Sequence, residues 1–331
     1  PRSIEGYIMQ SRLTREDVTS PAPLADDEAL AGGACPDRHN PSHCQPAFEP
    51  GKPGAAADAE MPSDLTLDAV PSTLIIPLAA RAAGGGFFPS LACSDAESSR
   101  LLRSLGVDVS AYLADRPTVL NVLWRTRHIQ AAGRAFFARH PNAWGINLGC
   151  GLSHYFQWLD NGHNHWIDAD LPEVMALRLA LHSPCSPRLR SATLDLIDPH
   201  WWQELNLPAQ ALEQPLFVMC EGVLMYLQPT QAQQVLAEFA SRAPAGSRLL
   251  LDTLHQCAVG RAGWHSSVGR TGAEFHWGIS HPDELCASHP QLRLQQLHSV
   301  AECYGWFGRS TDALWRPWLG APLYGLAELA V

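Results

Sequence analysis

The sequence predicts an α/β protein built on a doubly wound, mostly parallel sheet of seven strands. Five short apolar segments between 143 and 251 alternate with segments of helical period, and two more apolar segments follow near the end of the chain. Such alternation is typical of a parallel sheet that carries helices on both faces. The 331 residues are enough for one large domain of this kind.

Residues 1–60 differ in composition from the rest, because Pro, Ala, Gly, Asp and Glu dominate and the apolar residues follow no period. Such a segment buries too little apolar surface to offset the entropy of ordering it. We interpret it as an N-terminal extension or tag, with a flap over the body as the alternative. Four of its residues have metal-ligand spacing but lack a paired CxxC knuckle, so we predict no metal. They are Cys35, His39, His43 and Cys44.

A helical cap is predicted at 61–142, ahead of the sheet. Apolar residues between 91 and 140 recur at three-to-four spacing, as on the buried faces of helices. Pro117 suits the first turn of one helix, and Pro141 follows its end. The cap and the sheet-based core at 143–331 form one predicted domain.

Helical segments separate the predicted strands. Helical period is clearest at 173–182, between the second and third strands, and at 230–242, between the fourth and fifth. The last two strands are expected to add an antiparallel edge to the sheet. The predicted strands are 143–148, 164–167, 189–193, 215–219, 247–251, 292–298 and 322–329.

Composition excludes several classes of partner. The chain has 23 Lys and Arg against 33 Asp and Glu, and this acidic balance argues against a nucleic-acid or anionic-membrane surface. No apolar stretch approaches the roughly 18 residues of a membrane span, and the first residues lack the apolar core of a secretion signal. The nine cysteines are scattered, which indicates reduced thiols. We therefore predict a cytoplasmic protein.

A glycine-rich turn follows the first predicted strand, in the run 147–151. Gly149 and Gly151, on either side of Cys150, permit a tight turn and a close approach of the backbone to a ligand. The third position of a GxGxxG pattern is His154 rather than Gly. This difference argues against a dinucleotide pyrophosphate and favours a cofactor with a single nucleoside.

Acidic residues follow the next three strands. Asp168 and Asp170 come about twenty residues after the glycines, where a carboxylate can accept hydrogen bonds from both hydroxyls of a ribose. We favour Asp170, because a helix begins directly after it, whereas Asp168 equally suits a loop or a helix cap. Asp195 and Glu221 follow the third and fourth strands. All of these acids are predicted at the edge where open α/β sheets bind ligands.

Taken in order, these motifs resemble the leucine carboxyl methyltransferases and the related polyketide O-methyltransferases of the tetracenomycin type. The resemblance extends over about 70–329 and implies a Rossmann-like class I methyltransferase fold with S-adenosylmethionine as the cofactor. The segments that carry it are 70–74, 125–127, 147–151, 170–174 and 221–227.

The resemblance also implies individual roles. Arg125 is similar to the family arginine that holds the methionine carboxylate, a role that suits a planar and permanently charged group. Tyr226 is similar to a tyrosine near that carboxylate and the transferred methyl group. The other implied cofactor contacts are Gly149, Cys150 and Gly151 under the methionine portion, Asp170 and Leu171 at the ribose, Asp195 and Leu196 at the adenine, and Glu221 at the floor of the pocket.

One segment departs from the family pattern. After the glycines the family usually carries an Asp-Thr-Arg-like run, whereas this chain has Leu-Ser-His-Tyr-Phe at 152–156. The cofactor assignment does not depend on this run. The local ion pairs of the family cannot be transferred to this chain.

Methyl transfer to an oxygen is an in-line displacement, in which positioning and exclusion of water supply most of the acceleration. A carboxylate acceptor needs no base, whereas a hydroxyl acceptor must lose its proton. The candidate bases are His154, His255 and His276, with His265 less favoured. For each, an ordinary hydrogen-bonded or exposed histidine is the alternative interpretation.

The segment 254–277 holds several aromatic residues and glycines after the fifth strand. We predict a lid or substrate wall here that carries Trp264 and Trp277. Packing of these aromatic side chains against the edge strands is the alternative.

The predicted function is S-adenosylmethionine-dependent O-methylation of a small organic acid or polyketide-like metabolite, at a carboxylate or a hydroxyl. A protein C-terminal carboxyl methyltransferase, a non-catalytic cofactor-binding scaffold and an NAD-dependent oxidoreductase are the alternatives. We predict a small-molecule substrate, no nucleic-acid or membrane partner, and a monomer or homodimer.

Overall fold

The structure is a computed structural model that describes residues 74–181, 186–264, 268 and 272–331. Several residues that the sequence singled out lie outside the described residues: the segment 1–60 with Cys35, His39, His43 and Cys44, the family segment 70–73, and His265.

The described strands form one sheet of seven strands in the order β3-β2-β1-β4-β5-β7-β6. Strands β1 to β5 pair in parallel, whereas β7 is antiparallel to both of its neighbours. The predicted doubly wound, mostly parallel sheet is confirmed, although the antiparallel strand lies one place in from the edge. The strands are β1 Trp144–Leu148, β2 His165–Asp170, β3 Leu189–Thr193, β4 Phe217–Cys220, β5 Arg248–Leu254, β6 Arg293–Ser299 and β7 Tyr324–Ala330.

Helices cover both faces of the sheet. Alternate residues of a strand point to opposite sides, so each central strand packs against helices on both faces. In β4, Phe217 and Met219 join the apolar cluster that contains Phe136 of the long helix before the sheet. Val218 belongs to the opposite cluster, together with Phe239 of the helix after β4. The sheet therefore lies between two apolar layers, as its continuous apolar strands predict.

The long helix before the sheet is positioned by its ends. It begins after Asp115, whose carboxylate caps the helix by accepting a hydrogen bond from the backbone N–H of Thr118 at 3.3 Å. Pro117 occupies its first turn, and Pro141 follows its end, as the sequence predicts. The helices are α1 Ile75–Ala83, α2 Ala96–Ser104, α3 Ser110–Ala114, α4 Arg116–Arg139, α5 Phe156–Leu159, α6 Pro172–Leu181, α7 Trp201–Glu204, α8 Pro229–Arg242 and α9 Gly305–Leu319.

None of the described helices combines the length and the apolar character that crossing a bilayer requires.

Candidate cofactor-binding cleft

A cleft opens at the carboxyl ends of β1, β4 and β5. Its empty volume is about 1080 Å³, a figure that includes space open to solvent. Residues of helices α1 and α4 also line it. The predicted site residues that line it are Arg125, Gly149, Cys150, Gly151, Glu221 and Tyr226.

The turn after β1 has a backbone that only glycine adopts without strain. Gly149 has a φ of 64° and Gly151 a φ of 51°. A Cβ on Gly149 would lie 2.2 Å from Cγ2 of Val223, and one on Gly151 would lie 2.7 Å from Cδ2 of Leu74. Neither position therefore has room for a side chain, and both glycines line the cleft.

The two aspartates of β2 have different surroundings. The sequence predicts both aspartates after the second strand. In the structure, β2 extends through Asp170 and includes both of them. The buried carboxylate of Asp168 accepts hydrogen bonds from Arg178 at 2.5 Å and from Nε1 of Trp166 at 2.9 Å. Asp168 therefore binds interior side chains and does not line the cleft. The loop or cap alternative for Asp168 is wrong, because the residue lies within β2.

Asp170 ends β2 and contacts the glycine turn. Its carboxylate accepts hydrogen bonds from the backbone N–H of Gly151 at 2.7 Å and of Leu171 at 2.8 Å. Burial raises the pKa of this carboxyl, although the two N–H groups oppose the shift. Asp170 and Leu171 do not line the cleft themselves, but Asp170 fixes the backbone that does.

Arg178 of α6 ties the glycine turn to the sheet. Its Nη1 donates to the backbone oxygens of Gly151 at 3.1 Å and Ser153 at 2.6 Å, while Nη2 pairs with Asp168. This arginine supplies an ion pair close to the run 152–156, which lacks the acid and base of the family. The sequence signal for it is a lone charge among buried apolar residues of α6.

Arg125 joins α4 to three strands. Its Nε donates to Glu221 at 2.6 Å, and its Nη1 donates to Asp252 at 3.0 Å and to the Tyr324 hydroxyl at 2.6 Å. Burial disfavours its charge, but Glu221, Tyr324 and Asp252 together hold the pKa of Arg125 well above its ordinary value. Its Nη2 makes no hydrogen bond to any residue in the described part of the chain and lies near Gly222 at the cleft.

Arg81 of α1 is a cleft residue that the sequence interpretation missed. Its Nε donates to Asp95 at 3.2 Å, and its Nη1 lies 4.0 Å from Oε1 of Glu221. Both Nη atoms are buried and have no hydrogen-bond partner among the residues that the structure describes, although the side chain lines the cleft. The available signal was a single arginine in the otherwise apolar helix α1.

Glu221 stays ionised between the two arginines. Burial alone would raise its pKa, but Arg125 and Arg81 outweigh burial and lower it. Its other oxygen accepts a hydrogen bond from the Tyr155 hydroxyl at 2.5 Å. Asp252 behaves differently, because burial raises the pKa of its carboxyl more than Arg125 lowers it.

The predicted adenine contacts lie beside the cleft. Asp195 follows β3 and is exposed, and its carboxylate accepts a hydrogen bond from the backbone N–H of Ile197 at 3.0 Å. Leu196 is buried in the apolar cluster that contains Val218 and Phe239. Neither lines the cleft, although Asp195 shares the sheet edge that carries Asp170.

The structure does not bring the three described candidate bases into the cleft. His255 caps a turn by accepting from the N–H of Cys257 at 3.1 Å, and its Nε2 lies 2.9 Å from the Leu319 carbonyl oxygen. His154 is partly buried, and burial followed by Arg178 lowers its pKa. His276 has an exposed side chain.

The predicted lid reaches the cleft through different residues from those expected. Trp277 is buried in the apolar cluster that contains Val218 and Phe239. For Trp264 only the backbone, in a short 3-10 helix, belongs to the described structure. The residues of 254–277 that line the cleft are Leu254, Val268 and Phe275.

The chain is similar to known methyltransferases. Residues 80–240, which include Arg125, the glycine turn and Glu221, match the family model described as leucine carboxyl methyltransferase. Over 243 residues the chain is 28% identical to the tetracenomycin polyketide synthesis O-methyltransferase TcmP of Streptomyces glaucescens, which covers 73% of this chain and 87% of that protein. Over 268 residues it is 26% identical to the S-adenosyl-L-methionine-dependent methyltransferase dpfgK of Gibberella zeae, with 73% and 88% covered.

A solved structure of lower similarity is the N-methyltransferase NodS of Bradyrhizobium japonicum in complex with S-adenosyl-L-homocysteine. The sequence identity is 14%, the match covers 70% of this chain and 96% of that one, and the TM-score is 0.40.

Proposed function

We propose that this chain, which is similar to the leucine carboxyl methyltransferases and to S-adenosylmethionine-dependent methyltransferases, methylates an oxygen of a small organic acid or polyketide-like metabolite. The observation that carries this proposal is the cleft itself. A glycine turn and two buried guanidinium groups line one part of it, and an apolar wall lines another.

The residues present fit the methionine end of S-adenosylmethionine. Two Nη atoms of Arg81 and one of Arg125 have no hydrogen-bond partner among the described residues, and both side chains flank the same oxygen of Glu221. Free guanidinium donors that converge in a buried site match the two oxygens of a carboxylate. We assign the methionine carboxylate to Arg125 with Arg81 beside it.

The rest of the cofactor is assigned along the strand ends. Gly149 and Gly151 line the cleft without side chains, and this turn would support the methionine portion. Asp170 has two carboxylate oxygens at the end of β2, each with a lone pair left for a ribose hydroxyl. Asp195 and Leu196 remain the proposed adenine contacts, since β3 lies next to β2.

S-Adenosylmethionine supplies an electrophilic methyl group on a sulfonium. The chain then has to place the acceptor in line with that group and exclude water. Leu254, Val268 and Phe275 give the cleft an apolar wall, and the ring of Tyr226 lies 5.8 Å from that of Phe275. These residues would pack against the carbon skeleton of the acceptor.

The cleft favours an acceptor that is already ionised. Within the described ranges, no histidine lines it, and Glu221 is occupied by Arg125 and Tyr155. A carboxylate needs no base, whereas a hydroxyl does. We therefore propose a carboxylate as the preferred acceptor.

The test is an assay with deuterium-labelled methyl groups on S-adenosylmethionine and a panel of aromatic acids, phenols, amines and a peptide ending in leucine. Mass spectrometry identifies labelled products, and mild alkali separates methyl esters, which release methanol, from methyl ethers, which survive. Labelled esters of small acids are expected. Labelled amines only, a labelled peptide only, or tight cofactor binding with no product would each contradict the proposal. Labelled ethers without esters would contradict the carboxylate as the preferred acceptor.

A further inference from the structure

Two histidines and a glutamate from three elements meet outside the cleft. His128 lies on α4, His298 lies in β6, and Glu302 lies in the 3-10 helix Val300–Tyr304. One ligand atom from each falls within 4.8 Å of the others. The Nδ1 of His298 is 3.5 Å from one carboxylate oxygen of Glu302, and the Nε2 of His128 is 4.0 Å from the other.

Hydrogen bonding fixes which nitrogen of His298 is available. Its Nε2 lies 2.9 Å from Oε1 of Gln296, an acceptor, so Nε2 carries the proton and donates it. In the neutral ring, Nδ1 then presents a lone pair to the Glu302 carboxylate. Two acceptors that face each other at this distance repel unless a cation or a proton lies between them.

His128 is also suited to bind a cation. Its ring is packed 4.8 Å from Trp124 and 4.5 Å from His298, measured between centroids. Its Nε2 is the ring nitrogen that faces the Glu302 carboxylate, and an imidazole nitrogen is the commonest metal ligand in proteins.

We propose that His128, His298 and Glu302 bind one divalent transition-metal ion of the zinc type. Two imidazole nitrogens and one carboxylate oxygen suit zinc and its neighbours, whereas calcium and magnesium prefer oxygen ligands alone. Ligand atoms around a tetrahedral zinc lie roughly 3.3 Å apart. All three side chains are partly exposed and can close by the remaining ångström or so through small rotations.

The proposed ion would have a structural role. It would tie α4 to the end of β6, far apart in the chain, and its binding energy would add to folding stability. Arg125 lies one turn before His128 on α4 and hydrogen bonds to Tyr324 of β7, the neighbour of β6. The ion would therefore brace α4 against β6, the strand next to the one that carries Tyr324.

The experiment titrates metal-free full-length protein with Zn²⁺ by calorimetry and with Co²⁺ by visible absorbance. One ion per chain, coordinated Co²⁺ bands and a saturable rise in melting temperature are expected. His128→Ala and Glu302→Gln should each weaken Zn²⁺ binding by about 100-fold or more. Gln296→Leu, which releases the ring of His298, should weaken it by roughly 10- to 100-fold.

The matched control is His163→Ala, which removes an exposed histidine of another loop and should leave Zn²⁺ affinity unchanged. Glu302→Gln keeps the size of the side chain, and circular dichroism verifies the fold of each variant. The proposal is overturned if the wild type does not bind Zn²⁺, if His128→Ala and Glu302→Gln bind as the control does, or if Mg²⁺ binds as tightly as Zn²⁺. None of these outcomes depends on methyl transfer.

Discussion

The Nε of Arg125 and Oε1 of Glu221 lie 2.6 Å apart, although 96 residues separate them in the chain. This contact joins α4 to the end of β4, and Arg125 reaches β5 and β7 through Asp252 and Tyr324. A hydrogen-bonded ion pair buried to this extent stabilises one arrangement, because removing either partner leaves a buried charge unpaired. The position of Nη2 at the cleft follows from these three contacts.

Arg81→Lys should weaken binding of S-adenosylhomocysteine by about 10- to 100-fold, because lysine keeps the charge but loses the second donor of the fork. Affinity for 5′-methylthioadenosine, which lacks the carboxylate, should stay the same. Calorimetric titration of both ligands measures the difference. Arg103→Lys, at an exposed position of α2, is the control. Equal losses for both ligands would show that Arg81 acts on the fold and not on the carboxylate.

Gly149→Ala should abolish measurable cofactor binding or weaken it strongly, since the new Cβ would meet Val223 at 2.2 Å. The left-handed backbone adds about 1–2 kcal/mol of strain. Gly162→Ala is the matched control, because Gly162 also has a positive φ, of 84°, but no atom of the described residues lies within 4 Å of its Cβ position. Melting temperatures and cofactor affinity of the pair separate backbone strain from collision. Similar values for the two variants would refute the close packing of the turn.

Arg178→Met should lower the free energy of unfolding by about 3–5 kcal/mol, because it leaves the Asp168 carboxylate buried without its partner. Urea unfolding followed by fluorescence gives this value. Arg242→Met removes an exposed i,i+4 pair with Glu238 and should change it by about 0.5 kcal/mol or less. Cofactor affinity should also fall in Arg178→Met, since Arg178 holds the oxygens of the glycine turn. If Arg178→Met were no less stable than Arg242→Met, the tie between turn and sheet would be wrong.

Glu221→Gln should cost stability at neutral pH, and the difference from wild type should shrink in acid. The pKa of Glu221 in the folded chain lies below its ordinary value of 4.5. The ionised group therefore stabilises the fold fully above that value and loses its contribution as pH falls through the lowered pKa. Urea unfolding of both proteins at pH 7, 5, 4 and 3 tests the sign. A gap that widens toward acid would contradict the ion pair.

Features that depend on neighbouring residues could be predicted from the sequence. The glycine turn, the acid that ends β2 and the proline-bounded helix α4 each follow from a few adjacent residues. The seven-stranded sheet follows from apolar segments and the connections between them. Arg125 came from a family resemblance. Its three partners lie directly after β4, in β5 and in β7, which only the folded chain brings together.

Features that depend on the direction of a side chain could not be predicted from the sequence. Arg81 and Arg178 were missed because their partners, Glu221 and Asp168, lie on other elements. His255 follows β5 directly, yet its ring turns to the Leu319 carbonyl group. Trp277 turns into the core, because an aromatic ring near a cleft gains more by burial than by exposure.

Calorimetric titration with S-adenosylhomocysteine of the wild type and of Arg125→Lys tests the central claim most directly, namely that Arg125 anchors the methionine end of the cofactor in the cleft. We predict one saturable site in the wild type and affinity at least about tenfold lower in the variant. A folded wild type that releases no heat, or a folded variant that binds as tightly as the wild type, would contradict it.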